Sequence, residues 1–235
     1  MSQRNLEEIF KINYLTSVSC EIRFTPLMII KDKVAEFQKE IRNYFPNIQK
    51  GIFPISGFEF NEWIFHTNDN RKKIIATTDR LGVITTTYND FKPFFEMVTK
   101  NIGKFFEIIT DIDKVSRIGM RYTNEIPLDK DNPIKDILNW FNPTIYEDKI
   151  NNLKPIAFSS EIRIIHEANT LTSRNNFSLI IGNSPKYIID IDSYTEKEIE
   201  TENINSIIIE LHKLAIKEFH NNIKDEFLQI LRGKK

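Results

Sequence analysis

Between Ser17 and Thr25 apolar and polar residues alternate without a break. Val18, Cys20, Ile22 and Phe24 share one side; Ser19, Glu21, Arg23 and Thr25 share the other. A period of two marks a strand with one buried face. The period then changes. Val34, Phe37, Ile41 and Tyr44 or Phe45 recur at three- and four-residue steps, predicting a helix from an Asp32 cap to a stop at Pro46. "SGFEFNEWIFHT", "KKIIATT" and "LGVITTTY" read as strands, the last two joined tightly at Asp79–Arg80. Asn89 or Asp90 caps a second helix that keeps Phe91, Phe94, Val98, Ile102 and Phe105 on its buried side. Pro93 falls in its first turn, where a missing N–H costs little.

The second part of the chain repeats the order. "VSRIGMRYTNEI" predicts a strand and "PIKDILNWF" a short helix begun by Pro133. "FSSEIRIIHEA", "NNFSLIIGN" and "KYIIDIDSY" predict three more strands. A terminal helix is expected from about Asn203 to Leu231, with Ile204, Ile208, Leu211, Ala215, Phe219, Ile223 and Phe227 on one face. The opening strands of the two halves also look alike: "CEIRFT" carries Arg23 and "GMRYTN" carries Arg121. No Pro/Gly/Ser linker marks the boundary near Thr110 to Lys114. The expectation is one α+β domain over 1–235, made of two similar β-α-β-β-β-α halves, 15–110 and 114–233.

By element order this resembles the TATA-box-binding-protein-like saddle. That resemblance implies a pseudo-twofold curved antiparallel sheet, with the two opening strands side by side and helices on one face. The alternative is a helix-grip fold, a curved sheet around the terminal helix with a ligand cavity. Either leaves a sheet face for solvent or a partner.

Composition narrows the functional classes. Apolar residues make up 40% and charged residues 28% of 235 residues, the balance of a folded globular chain. With 32 basic against 33 acidic residues, no long-range field draws the protein to a phosphate backbone. Nucleic-acid binding would need a local basic patch. The single cysteine, Cys20, cannot close an intrachain disulfide, and its place in an alternating strand makes it a small buried thiol of a reduced, cytoplasmic protein. The amino terminus carries acids among its apolar positions, unlike a signal peptide. No apolar run approaches the length of about 20 residues that spans a bilayer, so no membrane partner is expected.

Candidate chemistry is sparse. The polar faces of the two opening strands carry Glu21, Arg23, Arg117, Arg121 and Glu125. Arg suits bidentate contact with carboxylate or phosphate, so Glu21, Arg23, Arg117 and Arg121, with neighbouring Tyr122 and Asn124, form a candidate binding patch. The competing reading, which alternating opposite charges favour because they tend to satisfy one another, is a cross-strand ladder of Glu–Arg pairs that fixes register. "DID" occurs twice, at 111–113 and 190–192; Asp190 and Asp192 lie on a strand and project from one face, the geometry from which two-carboxylate metal sites begin. His212 and His220 are eight residues apart on one helix, about 80° round its axis, and do not converge. With neither G-x-x-x-x-G-K nor G-x-G-x-x-G, the familiar phosphate cradles are missing, and no cofactor is expected. Trp63 and Trp140 read as core residues.

At "VSCEIRF", "FQKEIRNYFP", "SRIGMRYTN" and "IIDID" the chain resembles a sporadically distributed family of uncharacterised bacterial and archaeal proteins with an early EIRF strand and a central RIGxRYxN segment. Here the central positions are Met120, Arg121, Tyr122 and Asn124. The resemblance implies no catalytic residues; its patchy distribution implies accessory roles in defence against phage or mobile elements. The leading expectation is therefore a non-enzymatic binding module, an accessory or regulatory subunit of a bacterial complex of the defence or toxin–antitoxin kind. It would hold a protein partner through its sheet face or terminal helix. One alternative is a nucleic-acid or nucleotide binder using Arg23, Arg117 and Arg121, with metal at Asp190/Asp192. The other is a small-ligand cavity in a helix-grip fold.

Overall fold

The structure is a computed structural model that describes residues 8–55, 58–142, 157–178 and 184–234. In chain order its elements are β1 (Leu15–Arg23), α1 (Ile30–Ile41), β2 (Asn47–Ile55), β3 (Phe58–His66), β4 (Lys72–Ala76), β5 (Arg80–Thr85), α2 (Phe91–Ile108), β6 (Lys114–Val115) and β7 (Arg117–Pro127). There follow α3 (Pro133–Trp140), β8 (Ala157–His166), β9 (Asn169–Ser178), β10 (Lys186–Thr195), β11 (Ile199–Glu200), α4 (Ile204–Asn222) and α5 (Asp225–Leu231). The chain is mixed α+β, and its main strands hydrogen-bond in the order β2-β3-β4-β5-β1-β7-β10-β9-β8. β6 and β11 make a separate two-stranded pair.

Strand formation follows the alternation. In β1 the buried positions are Val18, Cys20 and Ile22, continued by Phe24 beyond the strand's end. β1 pairs antiparallel with β5, Glu21 facing Gly82 and Arg23 facing Arg80. On its other side the Ser116 N–H donates to the Arg23 carbonyl at 2.7 Å and the Glu125 N–H to the Tyr14 carbonyl at 3.0 Å. The early end of β7 thus meets the late end of β1, an antiparallel crossing. β4 and β5 are joined by a turn in which the Thr77 hydroxyl donates to Asp79 at 2.6 Å, fixing the tight connection predicted there.

Helix ends show which signals were used. Asp90 is extended and accepts from the Lys92 N–H, a working N-cap for α2. Asn132 does the same for the Lys135 N–H, and Pro133 starts α3. α1 departs from expectation: it begins at Ile30 without a side-chain cap, and Asp32 lies inside the first turn. There its charge still favours the positive end of the helix dipole.

Two further differences are informative. β2 was not foreseen, because Lys50 and Gln49 on it are exposed and Gly51 and Pro54 look like loop residues. It is the outermost strand at its end of the sheet, and an edge tolerates proline since one side needs no N–H donor. The expected terminal helix is two helices. At the break Ile223 bridges to Phe141, and the Lys224 N–H donates to the Trp140 carbonyl at 2.7 Å. The backbone there leaves the helix to bond α3, and Asp225 and Glu226 restart it with acids in the first turn.

The chain forms two compact units: Ser17–Met120 with Tyr194–Leu211, and Met1–Thr16 with Arg121–Ser193 and His212–Lys235. The first is packed around phenylalanines. Phe37 of α1 meets Phe65 of β3 edge-on at 5.7 Å and Phe105 of α2 edge-on at 5.2 Å. Trp63 is buried in the same unit. The second unit packs around Phe141, which stacks on Tyr187 at 4.1 Å and lies 5.1 Å from Phe227 of α5. Trp140 rests on that Phe227 ring at 5.6 Å, as a packing residue.

Candidate functional site

In the first unit the polar face of β1 and β5 carries an ordered charge network centred on Glu21. Its carboxylate accepts from Arg23 Nε at 2.7 Å and Arg117 Nη1 at 3.2 Å, and Arg80 lies 3.7 Å away. Arg80 reaches on to Glu62 of β3 at 3.4 Å. Arg117 extends to Glu196 at 3.7 Å and lies over the Tyr194 ring, 4.6 Å from its centre. Gly119 makes that position available: a Cβ there would sit 2.7 Å from the Arg117 guanidinium, which folds across the bare backbone.

A second glycine shapes the same face. Gly82 stands opposite Glu21 on β1 and Ile75 on β4, and with no side chain it leaves a recess between them. The recess has a volume of about 120 Å³ and is lined by Ser19, Cys20, Glu21, Glu62, Ile75, Arg80, Gly82 and Ile84. It therefore joins apolar walls to carboxylate and guanidinium groups already held in place. Arg23, at its margin, keeps a side chain 47% exposed.

The second unit carries a separate network centred on Asp190. Arg121 donates to both of its oxygens, from Nε at 2.8 Å and Nη2 at 2.7 Å. Arg174 of β9 adds a contact at 3.4 Å and binds Glu161 of β8 at 2.7 Å. A cation at Asp190 would have to displace two guanidinium groups, and among the described residues no three His, Cys, Asp or Glu side chains gather to hold a metal. Asp192 is half-buried two residues on.

The sequence-derived patch therefore divides. Glu21, Arg23 and Arg117 come together; Arg121 belongs to the Asp190 network. Tyr122 and Asn124 face the other way, into the interior. The Tyr122 hydroxyl lies 2.8 Å from His212 Nδ1 on α4, and the Asn124 amide donates to the Ile189 carbonyl at 3.4 Å. Sequence reasoning missed Arg80, Glu62, Arg174 and Glu161 as partners. The only available signal was the shared E-x-R spacing of Glu21/Arg23 and Glu161/Arg163. Burial pushes the Cys20 thiol up to about 12, so it stays protonated and unreactive at neutral pH.

Compared with known proteins, the chain matches no family model and no curated protein sequence. The family likeness at the EIRF strand and the RIGxRYxN segment rests on those motifs alone. Among the described residues no helix is long and apolar enough to cross a membrane.

Proposed function

We propose that the protein is a non-enzymatic binding module, a cytoplasmic accessory or regulatory subunit that holds a protein partner on the polar sheet face of its first unit. The observation that carries this reading is the recess over Gly82 inside the Glu21 network. Its volume suits one projecting side chain of a partner. The surrounding charges are already oriented by one another, so little ordering cost is added on binding. Arg23 and Arg80 offer guanidinium donors at the margin for a partner carboxylate. Hot spots in protein interfaces have this form, an anchoring pocket with a polar rim.

The duplicated-half reading of the chain supports the same view. β1 pairs with β5, the last strand of its half, and β7 neighbours β10, the last long strand of the other. We infer an internal duplication of the saddle kind, with an accessory role in defence as the family resemblance implies.

The test is affinity purification of tagged protein from its native host in mild salt. A stoichiometric protein partner is expected, lost when Gly82→Leu fills the recess and weakened by Arg23→Ala. Recovery of the protein alone, or of bound RNA or DNA released steeply by salt, overturns the reading.

A further inference from the structure

β8 is the outermost strand at its end of the sheet, and its one strand neighbour among the described residues is β9. The two are paired over ten consecutive positions with no bulge, from Ala157 opposite Ser178 to His166 opposite Asn169. Proteins usually blunt a long sheet edge with proline, a bulge or charged side chains, above all lysine. β8, "AFSSEIRIIH", has no proline, lysine or bulge, and its two charges, Glu161 and Arg163, are opposite in sign. It exposes an apolar side chain on each face: Ile165 is 78% and Ile164 42% accessible.

The hairpin turn fixes which backbone groups are free to bond outward. His166 and Asn169 close a two-residue loop, with Glu167 in the left-handed region at φ 55°. Such a loop closes on a hydrogen-bonded pair, so Ile164, Ile162 and Ser160 bond inward to β9. Ser159, Glu161, Arg163 and Ile165 then direct N–H and C=O away from the sheet.

We propose that this edge is the interface through which a second copy of the chain pairs, β8 against β8, antiparallel about a twofold axis at Ile162. Outward-bonding residues must face each other, which puts the axis on a residue. An axis on Glu161 or Arg163 brings like charges together. With the axis on Ile162, Glu161 faces the partner's Arg163 and Arg163 faces the partner's Glu161. Ser159 then faces the partner's Ile165, covering the most exposed apolar side chain, and the two Ile162 side chains meet at the close, non-hydrogen-bonded pair. Within its own chain Arg163 has a loose 3.6 Å contact to Glu161, whose carboxylate is held at 2.7 Å by Arg174 and so is aimed before pairing. The arrangement is isologous and closes on itself, leaving no free β8 edge to recruit further copies.

Sedimentation equilibrium of the full chain over a wide concentration range tests this, with circular dichroism and thermal melting as folding controls. The wild type should be a dimer. Arg163→Glu should abolish it by placing Glu161 opposite glutamate, and the double swap Glu161→Arg with Arg163→Glu should restore it. Ile165→Pro removes an outward N–H without touching the β9 ladder and should also give a folded monomer. A wild type that stays monomeric, or that forms open-ended assemblies, overturns the proposal. So does a dimer indifferent to Arg163→Glu and Ile165→Pro, or a folded double swap that stays monomeric.

Discussion

Arg121 on β7 and Asp190 on β10 are locked by two parallel hydrogen bonds of 2.8 and 2.7 Å, although the arginine side chain is 53% exposed and the aspartate only 7%. The hydrogen bonds it donates to Asp190 hold the guanidinium above its already high ordinary value, so it is charged at every accessible pH. Asp190→Asn keeps the shape and removes the charge, leaving Arg121 beside Arg174. The expected loss is about 2 kcal/mol, the scale of hydrogen bonds to a charged group. Arg121→Lys should lose part of that, since an ammonium cannot supply the planar fork. Urea denaturation of both variants measures the order.

Cys20 lies wholly inside the first unit, and burial is the main cause that raises its thiol to about 12. Native protein at pH 8 should therefore give no rapid thiol reaction with a disulfide reagent, while the unfolded chain gives one equivalent. Fast labelling of folded protein would contradict the packing of β1.

Much of this architecture was legible because burial imposes periodicity. Val18, Cys20 and Ile22, and Phe94, Val98, Ile102 and Phe105, declared their faces through spacing alone. β2 did not, because Ile48, Gln49 and Lys50 in succession are all exposed and show no alternation of faces. The break at Ile223 was hidden as well, since it exists to bond Trp140 and Phe141, which are remote in sequence. The site divides the same way. Alternation places Arg121 and Tyr122 on opposite faces, so their separation was readable. That Glu21 would meet Arg80, or Asp190 meet Arg174, depended on strand order, which local patterns do not encode.

The chain's early residues are tied to its end by another fork. Arg232 donates to both oxygens of Glu8 at 2.6 Å, and the Ile12 N–H donates to the Leu231 carbonyl at 3.0 Å. The hydrogen bonds from Arg232 hold the Glu8 carboxyl below its ordinary value of 4.5. A carboxyl depressed by folding stabilises the native state above its unfolded pKa, and that contribution fades as pH falls through the lower folded value. The melting temperature of wild type should exceed that of Glu8→Gln at pH 7, and the difference should shrink steadily below about pH 4.5. A difference that persists at pH 2 would assign the effect to packing instead.

Glu21 is a carboxylate shared by Arg23, Arg80 and Arg117. Arg80 and Arg117 have second partners in Glu62 and Glu196, but Arg23 has Glu21 as its closest acid. Glu21→Gln therefore turns a balanced network into one with excess positive charge at its centre. The expected cost is of order 1–3 kcal/mol in low salt, from lost charged hydrogen bonds and mutual repulsion of the guanidinium groups. The repulsive part is screened over about 10 Å at 0.1 M salt and over much less at 1 M. The deficit of Glu21→Gln relative to wild type should thus narrow as sodium chloride rises, while that of an apolar truncation in the same unit, Phe105→Ala, stays near its core value of about 3–5 kcal/mol. Parallel salt series of chemical denaturation for the two variants separate the cases: a Glu21→Gln deficit independent of salt would mean that the carboxylate acts through local hydrogen bonding and shape, not as the charge that keeps three arginines together.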